Sequence, residues 1–403
     1  MYRYTEEAAD GSLLESFGRD GPTRLSYAAV AGYAFWLYAF GPALALLRGE
    51  LHFSYALLGT YSAVWAAGAA LAGMTFAALA RRLPRAALIW YPAAVATAGA
   101  ALFAVSRSIV FTMLGAAMLG FAGTIMLTCA QAVLSERHGE RRDRALTEAN
   151  VGAAACAVLA PLLLGLLQDT PVGWRAAMGL PAILFALLYL RYRHQQLRPA
   201  RIARPTGGRG GLSLSCWLLA ALVAIGVAVE FCPVYFGAEL LTTDGLRIGQ
   251  AATAMSAFYL GILGGRVAAA WLTRRVGRAV PLLYVSLAVT IAGFVLFWLT
   301  AQPVLAITGL FVCGLGVANL YPLSLALALA AAPGNEDAVN ARIQLLGGVF
   351  VIVAPYLLGS LADGLGLRAA FTVEPVLIGA CAFLLVAGLR VGQSAPVPGR
   401  PFK

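Results

Sequence analysis

Apolar runs of about twenty residues, parted by short polar turns, set the pattern of this chain. Helical spans are expected at roughly 25–47, 55–80, 86–105, 109–135, 145–168 and 174–191, and again at 215–238, 248–272, 279–300, 303–331, 338–361 and 368–391. About 20 apolar residues, each rising 1.5 Å, cross roughly 30 Å of hydrocarbon as a helix. The ten-residue alternation of a membrane barrel is found nowhere. The pattern predicts an all-α membrane protein of twelve transmembrane helices. It divides into a tail (1–24), a six-helix half (25–191), a linker (192–213), a second six-helix half (214–391) and a C-terminal tail (392–403). Residues 1–24 mix five acids with three arginines, so a soluble tail with a short surface helix near Leu13–Phe17 is expected rather than a signal peptide. The linker carries Arg193, Arg198, Arg201, Arg204 and Arg209 around a glycine run, which suits a strap between the halves.

The halves repeat. Leu79-Ala80-Arg81-Arg82-Leu83-Pro84-Arg85 returns as Leu272-Thr273-Arg274-Arg275-Val276-Gly277-Arg278, each copy between two apolar runs. Ala160-Pro161 with Gly165 returns as Ala354-Pro355 with Gly359, and Arg175-Ala176-Ala177 as Arg368-Ala369-Ala370. Such duplication is common in carriers, whose sites lie between the repeats.

Composition removes the water-soluble alternative, because 61% hydrophobic and 12% charged residues leave more apolar surface than a soluble fold can hide. The net charge of +11 raises the possibility of nucleic acid, but the positions exclude it. Of the 29 basic residues, 23 lie in the tails and even-numbered connections or at the span ends beside them, five (Arg48, Arg107, Arg175, Arg247, Arg368) in the odd-numbered ones, and Arg266 deeper within a span. That asymmetry places both termini in the cytoplasm of a multi-pass protein of the cell membrane. The six cysteines fall in or beside apolar runs without metal or disulfide spacing, and read as small core residues. His52, His138 and His194 lie in loops with no nucleophile elbow, metal cluster or phosphate loop, so no enzyme and no cofactor is expected. No connection is long enough for a nucleotide-hydrolysing domain.

Twelve spans in repeated halves, with a basic turn between spans 2 and 3 and again between 8 and 9, resemble the major facilitator superfamily across residues 25–391. That family's turn usually reads Gly-x-Leu-Ala-Asp-Arg-x-Gly-Arg. Here Arg81 and Arg274 replace the acid and Pro84 replaces one glycine, so the inner latch must be wired differently. Ala116 stands where drug exporters of the family carry a span-4 arginine, and only Ala160-Pro161 and Gly165 survive of their span-5 pattern. Because that pattern recurs in span 11, it is expected to serve helix packing. A weaker local likeness to carriers similar to fucose permease rests on the acid in span 7, Gly265-Arg266, Gly314-Leu315-Gly316 and Tyr321-Pro322. This likeness tilts the expectation toward uptake.

A charge near the middle of a bilayer is costly and marks a functional candidate. Glu230, about fifteen residues into span 7, is the strongest, with Gly226, Pro233 and Gly237 on its face expected to leave room beside it. The competing reading makes it a structural acid bonded to a neighbouring helix. Glu374 lies near enough to the surface to snorkel. Asn319 precedes Pro322, which frees the Ala318 carbonyl, and serves either a solute or helix packing. Tyr33, Trp36, Tyr38, Trp65 and Tyr259 are candidates to line a cavity or fill the core, with Gln131 and Gln344 nearer the inner side. Arg81, Arg82, Arg85, Arg274, Arg275 and Arg278 would form the cytoplasmic gate. Glu148 and Arg266 are expected to pair when the carrier opens outward and to part when it opens inward. The small-residue face of span 5 at Gly152 and Ala155 is expected against span 8. The alternative leaves Glu148 with Arg144.

The sequence thus leads to a monomeric secondary transporter of a small molecule, working by alternating access with protons as the coupling ion, most simply in uptake. Efflux of amphipathic compounds and a non-transporting receptor on the same fold remain open.

Overall fold

A computed structural model describes residues 18–195, 197, 212–276, 279–332 and 335–394. The expected Leu13–Phe17 helix, most of the linker and Arg278 lie outside the described residues, as do the side chains of Arg274 and Arg275. The described chain is helical throughout: α1 (Gly21–Leu51), α2 (Tyr55–Arg82), α3 (Ala87–Val105), α4 (Ile109–His138), α5 (Arg142–Gln168), α6 (Arg175–Tyr192) and α7 (Leu214–Thr243) are followed by α8 (Ile248–Val276), α9 (Ala279–Leu299), α10 (Pro303–Val317), α11 (Leu320–Ala330), α12 (Glu336–Leu365), α13 (Leu367–Ala370) and α14 (Val373–Ser394). Ten stretches are long and apolar enough to cross a membrane, one of them holding α4 and α5 together.

Caps explain several boundaries. α1 begins at Gly21, four residues before the apolar run, because Asp20 accepts from Thr23 N (3.1 Å) and Pro22 suits the first turn. Ser54 and Ser213 cap α2 and α7 in the same way.

Two expected spans are broken. The run 303–331 divides at Ala318-Asn319, since Pro322 has no N–H for the Ala318 carbonyl and Asn319 N reaches only Gly316 O at 3.5 Å. In the last run, α13 is followed by a two-residue turn before α14.

α1 and α7 run through the middle and touch backbone to backbone. A Cβ on Gly41 would fall 2.0 Å from Val234 O, so only glycine permits this crossing. The duplicated motif makes the two flanking contacts: Gly165 of α5 packs on Gly249 and Thr253 of α8, and Gly359 of α12 on Tyr55 of α2. These contacts gather at the end opposite the basic turns. Toward the basic end Gly73 of α2 and Gly347 and Gly348 of α12 have no neighbour within 4 Å of a Cβ among the described residues, and a recess opens between α5 and α8. The molecule is therefore closed at one end and splayed at the arginine-rich end.

Ion pairs and caps reinforce the closed end. Arg48 of α1 meets Glu239 of α7 at 3.0 Å, with its guanidinium 3.7 Å over the Tyr55 ring. Asp363 of α12 accepts from the free N–H groups of Tyr55 and Ala56 at 2.8 and 2.9 Å, and Arg247 meets Asp169 at 3.4 Å. Asp244, one residue beyond α7, pairs with Arg368; burial lifts its carboxyl above the ordinary range while Arg368 opposes that rise.

Candidate functional site

Below the Gly41–Val234 crossing, toward the arginine-rich end, a recess opens between α1, α5 and α8. Tyr38, Asn150, Ala153, Ala154, Tyr259, Leu263 and Arg266 line it. Tyr38 and Tyr259 meet edge to face, 5.0 Å between ring centres, and close its upper end. Tyr259 and Arg266 are seven residues apart, two turns of α8, and so share one face. One turn before Val234, Glu230 is half-buried and lies near enough to Tyr38, Tyr259 and Arg266 to act on them electrostatically. The Tyr259 hydroxyl is buried and has no hydrogen-bond partner among the described residues. The structure thus brings Glu230, Tyr38, Tyr259 and Arg266 together.

Other candidates lie elsewhere. Trp36 is fully buried on the far side of α1, where its indole N–H donates to Met178 O at 2.9 Å and its ring stacks on Phe185. Tyr33 is also core: it stacks on Trp65, and its hydroxyl faces Thr124 at 3.3 Å. Asn319 donates from Nδ2 to Gly265 O at 3.4 Å, tying the α10–α11 break to α8 rather than facing the recess. Gln344 is exposed on α12, outside the lining. Glu374 does not snorkel, because its carboxyl is completely buried, beside the thiols of Cys232 and Cys313. Gly226 lies by Leu320 and Gly237 by Met255, so these glycines admit neighbouring helices instead of leaving space beside Glu230. Gly152 faces Ala31 of α1, and α5 meets α8 through Val158 and Gly165.

The basic turn divides its work. Arg81 and Arg82 are exposed, whereas Arg85 is 4% exposed and pairs with Glu136 of α4 at 2.5 Å. This pair ties the α2–α3 turn to α4 within the first six helices, so Arg85 faces a neighbouring helix rather than a gate. At the same end Glu148 accepts from Arg19 (2.8 and 3.0 Å), Tyr27 (3.1 Å) and Arg144 (3.2 Å), while Arg266 remains in the recess.

Glu239, Arg48, Asn150 and Glu136 were not singled out from the sequence. Glu239 falls one residue past the expected end of its span and Arg48 one past its own, so both pass for loop charges. Their signal was complementarity, an acid and a base at matching ends of two helices.

Two central helices crossing at a glycine, a polar recess beneath and a splayed opposite end define a membrane-transporter fold. The chain belongs to the Major Facilitator Superfamily, whose sequence model matches residues 26–337 and 216–402. No curated protein matches it by sequence. Among solved structures it is similar to a bacterial homolog of the human lysosomal transporter Spinster in an inward-facing, occupied conformation, with 14% identity, a TM-score of 0.76, and 94% of this chain and 98% of that one covered. It is also similar to the nucleoside transporter NupG (15%, 0.70, 93% and 99%) and to the peptide transporter POT in complex with sulfate (14%, 0.73, 94% and 96%). At these identities the likeness is one of fold.

Proposed function

We propose that the protein is a secondary transporter that moves a small solute across the cell membrane by alternating access, with protons driving uptake. The observation that carries the reading is Glu230, a carboxyl in the middle of α7 that has no ion pair among the described residues and lies within electrostatic reach of Arg266, which lines the recess. The charged form of an acid so placed is costly, so it favours the neutral form and can take up or release a proton as the charges around it change. Counting α10–α11 as one span, and α13 with α14 as another, gives twelve. The arginine excess makes the splayed end cytoplasmic, so the structure corresponds to the inward-open state. In the outward-open state the α5–α8 and α2–α12 contacts at the far end would release. We assign the protein no chemical step and take it to act as a monomer.

The test is a thermal-shift screen of the purified protein against sugars, organic acids, nucleosides and cationic dyes, followed by flux in proteoliposomes. A stabilising solute that enters with protons supports uptake. Counterflow with net exit on an inward-acid gradient would replace it with export. A ligand that binds but never crosses would make the protein a receptor.

A further inference from the structure

The recess is lined by four polar side chains, the Arg266 guanidinium, the Tyr38 and Tyr259 hydroxyls and the Asn150 amide, and the Glu230 carboxyl lies within electrostatic reach of Arg266. The Tyr259 hydroxyl is buried without a hydrogen-bond partner among the described residues. A guanidinium stays charged at every physiological pH and offers a planar fork of N–H donors, which a carboxylate matches with two parallel bonds. Between Arg266 and the Tyr38–Tyr259 pair the walls are apolar, with Ala153, Ala154 and Leu263 presenting no hydrogen-bonding side chain. That stretch covers seven residues of α8, or about 10 Å. A matching molecule carries an anionic head, an apolar body of that length and a weak acceptor for the tyrosine hydroxyl.

Charge adds a second constraint. With Glu230 ionised, the Glu230–Arg266 couple is neutral, and an arriving anion would leave the recess at −1. Protonating Glu230 restores neutrality, so in a poorly solvated space the anion and the proton favour each other. The titratable and charged groups facing Glu230 are Tyr38 from α1 and Tyr259 and Arg266 from α8. From the other helices packed on α7, α11 presents Tyr321, α10 presents Cys313 and α14 presents Glu374, which faces Cys232. On α12, Arg342 sits over Trp217 at one end of α7, and Asp363 binds α2 at the other.

We propose that the recess binds a small organic monocarboxylate, its head on Arg266 and its apolar body against α5 and α8, and that Glu230 takes up one proton from solvent as it binds. The proposal names the substrate class for the transport reading above and rests on it. On release, the carboxyl returns its proton and the recess returns to neutral.

The test measures binding to detergent-purified full-length protein with a matched series: carboxylates from acetate to 4-phenylbutyrate, their amides and the corresponding amines. Wild type is expected to bind one or more carboxylates at least tenfold better than the matching amide or amine. Affinity should rise by up to about tenfold per pH unit from pH 8 to pH 6. Arg266→Gln should abolish the preference and Arg266→Lys should restore part of it, which separates charge recognition from a folding defect. Glu230→Gln should keep the preference and flatten the pH dependence. Equal binding of amides, preference for amines, or no carboxylate bound overturns the proposal. Proton-driven flux of a different solute class would overturn it while leaving the transport reading intact, whereas carboxylate binding without flux in proteoliposomes would do the reverse.

Discussion

Among single residues, the Arg85–Glu136 pair shows how the first basic turn is anchored to its own half. Arg85 is buried and two of its nitrogens have no other partner among the described residues. Removing Glu136 would strand that charge, whereas removing both partners leaves nothing to desolvate. We expect Glu136→Ala to cost about 2 kcal/mol, below the loss for a fully buried pair because Glu136 keeps contact with solvent. The double variant Arg85→Met with Glu136→Leu should recover most of it. Thermal unfolding in detergent measures both; a single variant as stable as wild type would show that the pair anchors nothing. Residue identity was legible here only in part. The sequence showed the basic turn but not the partner of Arg85, since Glu136 sits 51 positions away on another helix and no local spacing marks it.

Single helices were easier to place, because an apolar run reports its own length wherever it packs. The duplicated Ala-Pro and Gly pattern also declared its purpose: one copy meets α8 and the other meets α2. Which way a side chain faces was harder. Tyr33, Trp36 and Tyr38 lie within six residues on α1, yet Tyr33 and Trp36 turn into the first six helices and only Tyr38 reaches the recess. In an apolar solvent the hydrophobic pattern does not separate core from cavity, because every face is apolar. Gly165→Val puts two consequences of this packing to the test. Its Cβ would lie 2.1 Å from Thr253 Oγ1 and 2.2 Å from Gly249 O, so the closed end should open and a cysteine at Thr242 should label faster than in wild type. Unchanged labelling would mean that α5 and α8 part without that contact.

At the scale of the whole molecule, opposite ends carry different charge networks. Arg48–Glu239 holds the far end shut, and Arg48→Ala leaves Glu239, 3% exposed, without its base. That variant should favour the outward-open state several-fold, seen as the same faster labelling at Thr242. At the arginine-rich end Arg19, Tyr27 and Arg144 hold Glu148. We propose that Glu148 moves to Arg266 when the molecule opens outward, so that an arriving carboxylate displaces it and Arg19 recaptures it. Glu148→Arg should then favour the inward-open state by cysteine accessibility, and adding Arg266→Glu should restore the balance. A double variant no closer to wild type than either single one would show that they are not partners.

The central claim is that Glu230 couples solute to protons, and concentrative uptake measures it most directly. Proteoliposomes of wild type and Glu230→Gln are loaded at equal density and given an inward proton gradient with a solute that stabilises the protein. Wild type should accumulate the solute above its external concentration. Glu230→Gln, which keeps shape and hydrogen-bonding capacity but cannot cycle a proton, should exchange solute at a comparable rate and accumulate none. Accumulation by Glu230→Gln to the wild-type level would contradict the account.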